Sequence, residues 1–119
     1  MPDIKKFVIQ KHFSTDHTHW DLMLHVENAL QTFRLELPPE KIADQLSLAE
    51  KISDHPLKFL TYQGTVNQGT GTVEIADKGT YQTLTKTKNR WQILFDGQIL
   101  KGEFTLTLTE GDNWQLSLS

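Results

Sequence analysis

Short alternations of apolar and polar residues dominate this chain and recur roughly every eight to twelve residues, separated by Gly, Asn and Asp turn signals. This period of two predicts strands near residues 5–12, 19–26, 29–37, 46–53, 71–76, 80–86, 90–96, 99–108 and 113–118. Helical periodicity is nearly absent; one short helix is predicted from Pro39 to about Gln45, and a further helical turn after His55-Pro56. The pattern therefore predicts an all-β or mainly β fold, a closed or nearly closed antiparallel β-barrel with one or two short helical turns.

The length of 119 residues, with no linker, repeat or low-complexity segment, predicts one domain over residues 1–119. The absence of cysteine excludes disulfides, thiolate metal sites and cysteine nucleophiles. The N-terminal segment has no apolar stretch of signal-peptide length, and no run of about 18 apolar residues occurs, so we expect a cytoplasmic protein that does not enter membranes. The 12 basic and 15 acidic residues give a net charge of −3, which argues against tight non-specific binding to duplex nucleic acid.

Histidines and aspartates are concentrated near the N-terminus: His12, Asp16, His17, His19, Asp21 and His25. Because side chains alternate faces along a strand, His19 and Asp21 point to one side of the second predicted strand and its apolar residues point to the other. Their Cα atoms are about 7 Å apart, a separation that converging side chains can bridge to a metal ion if His12 supplies a third ligand. Such a nitrogen and oxygen ligand set suits Mn²⁺ or Zn²⁺ rather than Ca²⁺. The pattern is also typical of surface histidines on the polar face of a strand, so both interpretations remain open.

A series of short motifs runs in order along nearly the whole chain: Phe7-Val-Ile-Gln-Lys-His12, His19-Trp-Asp21-Leu22, Asp54-His-Pro-Leu57, Gly64, Gly79-Thr-Tyr81, Leu100-Lys-Gly-Glu-Phe104 and a final Trp114-Gln-Leu-Ser-Leu118. This set resembles the 3′-phosphoesterase domains of bacterial ligase D, and the chain looks like a divergent, stand-alone member of that family. The resemblance implies an antiparallel barrel that uses a manganese ion to trim nucleic-acid 3′ ends. In that family the domain removes a terminal ribonucleoside and then the remaining 3′-phosphate.

By resemblance, the metal ligands are His12, His19 and Asp21, and the metal is Mn²⁺ or another divalent transition metal such as Zn²⁺. His55, in the Asp-His-Pro-Leu motif, is expected to lie opposite them and to contact the phosphate. The interval between the two ligand histidines is one residue longer than the family leads us to expect, so His17 is a competing ligand. We expect a monomer that binds nucleic-acid 3′ ends weakly, with DNA repair proteins as candidate partners and no association with membranes.

Three positions depart from the family pattern at phosphate-contacting sites. Met23 and Ser47 stand where the family has arginines, and Phe59 stands where it has a tyrosine. The acidic and basic segment ahead of the family's barrel is not expected here, since only six residues precede Phe7. Each lost donor of this kind costs roughly 3 kcal/mol in transition-state stabilisation, or about a hundredfold in rate.

A β-hairpin offers a replacement for the lost cation. If Glu27-Asn28 is a two-residue turn, cross-strand partners sum to 55 in residue number, so Arg34 faces Asp21 and Glu36 faces His19. Arg34 then lies on the metal face, where it either contacts the phosphate or forms a plain cross-strand pair with the aspartate. Glu36 either orients the histidine or faces water.

The leading hypothesis is a metal-dependent 3′-phosphoesterase-like hydrolase that acts on 3′-phosphate or 3′-ribonucleoside ends in DNA end repair. His55 and Arg34 are its candidate catalytic residues beside the metal ligands. The alternative is a catalytically degenerate barrel that serves as a binding or scaffolding module, because its phosphate site has lost the family's donors.

Overall fold

Nine β-strands and three short helical segments make up residues 3–119, the part of the chain that the structure, a computed structural model, describes. The strands are β1 (Ile4–Ser14), β2 (His17–Val26), β3 (Ala29–Leu35), β4 (Ser47–His55), β5 (Gly64–Val66), β6 (Gly71–Lys86), β7 (Arg90–Gly97), β8 (Lys101–Glu110) and β9 (Asn113–Leu118). The helix α1 covers Pro39–Ile42, and two 3₁₀ helices cover Leu57–Leu60 and Asn67–Gly69. The predicted helix after Pro38 and the predicted turn after Pro56 are both present.

Eight of the strands close into an antiparallel barrel in the order β1-β2-β3-β4-β9-β8-β7-β6, with β6 pairing back to β1. Closure leaves these strands without free edges, and β5 adds to the sheet by pairing with the start of β6. The predicted closed antiparallel barrel with few helical turns is confirmed. Within residues 3–119, no helix has the length and apolar character that crossing a membrane requires.

β6 is one continuous strand, where the sequence predicted two strands over 71–76 and 80–86. Gly79 suggests a turn, but a Cβ atom there would lie 2.1 Å from the carbonyl oxygen of Asp96. The glycine therefore permits the close approach of β7 instead of ending the strand. A bulge at Ala76 bends β6, which pairs with β1 on one side and with β7 on the other. The short strand β5 was not predicted, because three residues carry too little pattern.

Apolar side chains from all eight barrel strands fill the interior. Phe7, Phe95 and Phe104 pack edge to face in series, with ring centroids 5.0 and 5.9 Å apart. Burying one such side chain stabilises the fold by about 1.5–3 kcal/mol. Leu22 and Leu24 of β2 face this core, as the alternation predicted, so the residues of β2 that alternate with them point out of the barrel.

The hairpin of β2 and β3 has the predicted turn at residues 27–28, where Glu27 adopts a φ of 57°. A positive φ in a two-residue turn suits the twist of the flanking strands. The register places Asp21 opposite Arg34, as predicted. Both side chains therefore lie on the outer face of the barrel.

β3 ends at Leu35, two residues before its predicted end. The last pair in the ladder with β2 joins Trp20 to Leu35, so the predicted pairing of His19 with Glu36 is not part of the ladder. The cause lies just downstream in Pro38-Pro39. Proline has no N–H to donate to a neighbouring strand, and it restricts the backbone conformation of the residue before it.

Residues 56–63, here called the covering segment, lie across the outer face of β1, β2 and β3. Gln10 of β1 is buried, and its Nε2 donates hydrogen bonds to the carbonyl oxygens of Phe59 (3.0 Å) and Tyr62 (2.8 Å). A second apolar cluster forms between the segment and the barrel, from Val8, Met23 and Leu30 together with Phe59, Leu60 and Ile75. The barrel is thus packed on both faces here, and polar residues of β2 become buried although they lie outside it.

Candidate metal centre

Three side chains converge on the outer face of β1 and β2. The ligand atoms of His12, His19 and Asp21 all lie within 4.8 Å of one another. Nδ1 of His12 lies 3.0 Å from Nε2 of His19, and that Nε2 lies 3.4 Å from Oδ1 of Asp21. The two histidines are direct cross-strand partners because β1 and β2 are joined by a two-residue turn at positions 15–16, and the aspartate follows two residues later on the same face. The strands therefore bring the three predicted ligands together.

The spacing of these atoms fits one metal ion. Donors about 2.1 Å from an ion, at angles of roughly 90–110°, lie about 3.0–3.4 Å from each other, and the two measured separations lie in that range. Oδ1 of Asp21 has no hydrogen-bond donor among residues 3–119, although the residue is only 5% exposed. A buried carboxylate oxygen without a donor is unfavourable unless a cation compensates its charge. The three side chains therefore fit a divalent transition metal.

The environment of His12 favours the neutral imidazole. Burial lowers the pKa of His12, and the neighbouring His19 lowers it further; Asp21 acts in the opposite direction, and the charges of Arg34 and His55 again lower it. Neutral imidazole is the form of histidine that binds metals. The pKa shift therefore prepares His12 as a ligand.

The far nitrogens of the two histidine rings are also unusual. Nε2 of His12 and Nδ1 of His19 are buried, and neither has a hydrogen-bond partner within the described part of the chain. Gly71 at the start of β6 lies against the first of them, since a Cβ atom there would be 2.8 Å from Nε2 of His12. The absence of a side chain at Gly71 thus leaves room for the His12 ring.

His55, at the end of β4, is held in one tautomer. Its Nδ1 lies 2.9 Å from Oγ1 of Thr32 and 3.1 Å from the carbonyl oxygen of Ser53. The Thr32 hydroxyl donates to the carbonyl oxygen of Leu30, so its oxygen accepts from Nδ1–H of His55. Nε2 is therefore the nitrogen free to meet a ligand. The ring also packs edge to face on Phe59, 5.5 Å away.

Arg34 is half-buried on β3, between its cross-strand partners Asp21 on β2 and Glu50 on β4. Within residues 3–119, its Nε is buried without a hydrogen-bond partner, and no ion pair within 4.0 Å joins it to a carboxylate. The two residues predicted to face each other do so, but they do not form a close ion pair. The guanidinium is thus available to a further anionic partner beside the candidate ligands.

Met23 and Phe59, two of the departures from the family pattern, belong to the same apolar cluster under the covering segment. Met23 is only 1% exposed. An arginine at that position would bring a charge into this cluster, at a large desolvation cost. The two departures therefore fit each other, because both residues contribute to the same apolar packing.

Ser47, the third departure, is buried at the start of β4, where it pairs with Leu116 of β9. Its hydroxyl donates to the carbonyl oxygen of Leu48 at 3.0 Å. It alternates in step with Ala49, which belongs to the barrel core. Ser47 therefore does not share the outer face with the candidate ligands.

The other histidines near the N-terminus lie outside the cluster. His17 is exposed at the first position of β2, with its ring centroid 6.1 Å from that of His19. His25 makes a 2.7 Å hydrogen bond from Nε2 to the carbonyl oxygen of Glu27. Gln10, which sequence reasoning did not single out, pairs with Asp21 in the ladder and anchors the covering segment. Its position on the ligand face, two residues before His12, was the available signal.

The fold and the cluster define a class: an antiparallel β-barrel with two histidines and one aspartate converging on its outer face. A family model described as the DNA ligase D 3′-phosphoesterase domain matches residues 10–108. The chain belongs to this family, as its motifs indicated.

Similar curated proteins include the multifunctional non-homologous end joining DNA repair protein LigD of Mycobacterium tuberculosis H37Rv, 30% identical over 122 residues that cover 94% of this chain and 16% of the relative. The LigD of Mycobacterium bovis gives the same values. The LigD of Pseudomonas aeruginosa PAO1 is 26% identical over 112 residues, covering 87% of this chain and 13% of the relative. The chain thus spans about one sixth or less of the length of these relatives.

Proposed function

We propose that the chain is a metal-dependent 3′-phosphoesterase that trims nucleic-acid 3′ ends during DNA end joining. One observation supports this most directly: His12, His19 and Asp21 bring three donor atoms within 4.8 Å of one another, and the buried Oδ1 of the aspartate has no hydrogen-bond donor among residues 3–119. Membership of the phosphoesterase family and similarity to end-joining repair proteins support the proposed reaction and pathway.

His12, His19 and Asp21 would hold Mn²⁺, or Zn²⁺ as the alternative, because both accept mixed imidazole and carboxylate ligands. When bound, such an ion polarises a phosphoryl oxygen and lowers the pKa of water. The lowered pKa of His12 keeps its imidazole neutral and ready to bind.

The chain's own residues position the phosphate. Because Nδ1–H of His55 is engaged by Thr32 and Ser53, Nε2 of His55 meets the phosphate, as a donor when the ring is protonated. Arg34 supplies the second cation, since its guanidinium has no close carboxylate within the described chain.

Nucleic-acid binding is proposed to be weak and confined to the 3′ end. A net charge of −3 supplies little long-range attraction for a polyanion. Hairpin duplexes with a free 3′ end should therefore bind better at low salt than a closed dumbbell without ends. Tight binding to the dumbbell would contradict this proposal.

A second candidate function, a non-catalytic binding module, is favoured by the packing of Met23 and Phe59. These residues give the phosphate site an apolar wall where the family has polar donors. Without those donors the transition state loses stabilisation, while the barrel and the metal ligands are kept.

Two measurements test the proposed function: the first tests its metal centre, and the second tests its catalysis. Calorimetry with Mn²⁺ and Zn²⁺ should detect binding to the wild type and to His25→Ala, a matched control outside the cluster, and no binding to the His19→Ala, Asp21→Ala double variant. Equal binding by the double variant would exclude this metal centre.

The second measurement is phosphate release from a short oligonucleotide that carries a 3′-phosphate. Arg34→Ala should lower kcat/KM about a hundredfold if its guanidinium contacts the transition state. Full activity of Arg34→Ala would remove Arg34 from the mechanism. No turnover by the wild type with either metal would favour the non-catalytic module.

A further inference from the structure

A pocket of about 560 Å³ opens on the outer face of the barrel, towards the N-terminal end of β1. Lys6 of β1 and Lys78 of β6 line it, together with Leu57 and Leu60 of the covering segment. Lys6 and His12 lie on the same face of β1, and the six residues between them correspond to about 20 Å along an extended strand. The pocket is therefore separate from the candidate metal centre.

The strand registers fix the side of the sheet on which this pocket lies. Phe7 belongs to the barrel core, so its neighbours Lys6 and Val8 point outwards. Val8 is the cross-strand partner of Lys78, and cross-strand partners share a face of the sheet. Leu60 belongs to the same outer cluster as Val8. Both lysines and the covering segment therefore lie on the outer side of the barrel.

The two lysines have no carboxylate counter-ion within residues 3–119. Lys6 pairs with Thr80 and Lys78 with Val8, so the lysines are diagonal neighbours with Cα atoms roughly 7–8 Å apart. Neither is in an ion pair, and no carboxylate of this part of the chain lines the pocket. Like charges at this spacing repel each other, and negative charge placed beside them offsets the repulsion. The pocket is therefore complementary to an anionic ligand.

The rest of the lining indicates what kind of anion fits. Leu57 is 38% exposed and supplies apolar surface beside the lysines. Phe7, the only aromatic residue among the described residues of the lining, is buried in the core, so no ring is available for a nucleic-acid base to stack on. The covering segment, held to β1 at Gln10, also lies between the pocket and the candidate metal centre. A polypeptide with acidic and apolar side chains fits this lining better than a polynucleotide does.

We propose that this pocket docks an extended acidic segment of a partner protein. Two carboxylate side chains of the segment meet Lys6 and Lys78, and an apolar side chain packs on Leu57. Side chains on one face of an extended chain recur every two residues, about 6.6–7 Å apart, which matches the spacing of the two lysines. The recognised pattern is therefore an apolar residue followed by two acidic residues, all at alternate positions. This inference is independent of the proposed function, because neither lysine belongs to the candidate metal centre.

Fluorescence anisotropy with a labelled peptide tests the docking site. The acidic probe carries one leucine and two aspartates at alternate positions between serines, and it should bind the wild type with a Kd on the order of 0.1 mM at low salt. A neutral probe with asparagine in place of both aspartates should bind about tenfold more weakly, because charge-assisted hydrogen bonds are lost. Equal binding of the two probes, or no binding of the acidic probe, would overturn the proposal.

Charge-matched variants locate the contact. The Lys6→Gln, Lys78→Gln double variant should bind the acidic probe about tenfold more weakly than the wild type does. The matched control is Lys41→Gln, Lys88→Gln, which removes two exposed lysines outside the pocket and changes the net charge equally. This control should keep the affinity of the wild type. An equal loss in both double variants would show a general effect of charge and would contradict the pocket.

A change at the apolar wall provides an independent variant. Leu57→Asp places a carboxylate beside the lysines and removes apolar surface, so it should also weaken binding of the acidic probe about tenfold. Leu94→Asp is its control, because Leu94 is 37% exposed and lies outside the pocket. Equal affinities of these two variants would overturn the proposal.

Two-dimensional NMR of the wild type tests the site without a substitution. The acidic probe should shift the methyl signals of Leu57 and Leu60 and leave those of Leu94 in place; the reverse pattern would overturn the proposal. A DNA hairpin with a free 3′ end is the competing ligand. If it displaces the probe and binds more weakly to the Lys6→Gln, Lys78→Gln variant, the pocket belongs to nucleic acid and the proposal fails.

Discussion

Asp77 and Asp21 are both buried carboxylates, 1% and 5% exposed, but their surroundings differ sharply. Asp77 accepts four backbone N–H groups: those of Lys78 and of Gln98, Ile99 and Leu100 in the turn from β7 to β8, at 2.7–3.1 Å. Oδ1 of Asp21 accepts no hydrogen bond from residues 3–119, and its close neighbour is a histidine nitrogen at 3.4 Å.

The comparison teaches that burial alone does not mark a functional carboxylate. A carboxylate that receives several N–H donors is satisfied by the fold and holds the fold together. A carboxylate left unsatisfied lowers stability on its own and is retained where a ligand completes it. By this criterion Asp77 is a structural anchor, whereas Asp21 fits the proposed metal centre.

The largest expected effect follows from removing the anchor. Asp77→Ala leaves four backbone N–H groups in the β7–β8 turn without their acceptor and should lower the free energy of unfolding by about 3 kcal/mol or more. Asp21→Ala in metal-free protein should change it by less than about 1 kcal/mol, since few favourable contacts are lost. Urea unfolding followed by circular dichroism measures both. Equal losses would contradict the distinction between the two carboxylates.

Metal should bring the contribution of Asp21 to stability close to that of Asp77. At a free Mn²⁺ concentration of about 100 times Kd, a ligand that binds only the folded state stabilises it by roughly 2.7 kcal/mol. We expect this gain in the wild type and in His25→Ala, but not in Asp21→Asn. Thermal unfolding with Mn²⁺ and with a chelator tests it. A gain that persists in Asp21→Asn would show that the ion binds elsewhere.

Two glycines extend the comparison: Gly97 lies beside Asp77, and Gly71 lies beside His12 of the candidate metal centre. A Cβ atom at Gly97 would lie 2.7 Å from Oδ2 of Asp77, and one at Gly71 would lie 2.8 Å from Nε2 of His12. Gly97→Ala should cost about 1–3 kcal/mol in stability, since the carboxylate is held by backbone and cannot move away. Gly71→Ala should instead displace the His12 ring and weaken Mn²⁺ binding about tenfold.

The same two methods, urea unfolding and calorimetry, are applied to both glycine variants. Unchanged Mn²⁺ affinity in Gly71→Ala would show that the His12 ring adjusts without loss. A larger loss of stability in Gly71→Ala than in Gly97→Ala would contradict the distinction between the structural anchor at Asp77 and the candidate metal centre at His12.

The smallest expected effect concerns pH in the metal-free protein. Because burial and His19 lower the pKa of His12, the unfolded state takes up a proton at this residue more readily than the folded state does. The contribution of His12 to stability is therefore fully present above about pH 6.5 and is lost as the pH falls below it. His12→Gln should show a weaker decline across this range in urea unfolding. Parallel pH profiles of variant and wild type would contradict the lowered pKa.

Much of the fold and of the candidate site could be predicted from local pattern. The alternation along β2 placed Leu22 and Leu24 in the core and Asp21 on the opposite face, and the turn at residues 27–28 placed Arg34 beside it. These features depend on neighbours a few residues apart, because a strand has a period of two and a tight turn sets the register of its hairpin. The amino-acid sequence by itself therefore determined the barrel class, the family and the set of candidate ligands.

Only the tertiary structure decided which polar residues are satisfied. Asp77 accepts hydrogen bonds from backbone N–H groups of the β7–β8 turn, 21–23 residues away in the sequence. The side chain of Gln10 donates to carbonyl groups of the covering segment, about 50 residues away. The packing of Met23 with Phe59 likewise joins segments that are far apart in the sequence. Such contacts depend on how the barrel closes and on what covers it, and no local period encodes them.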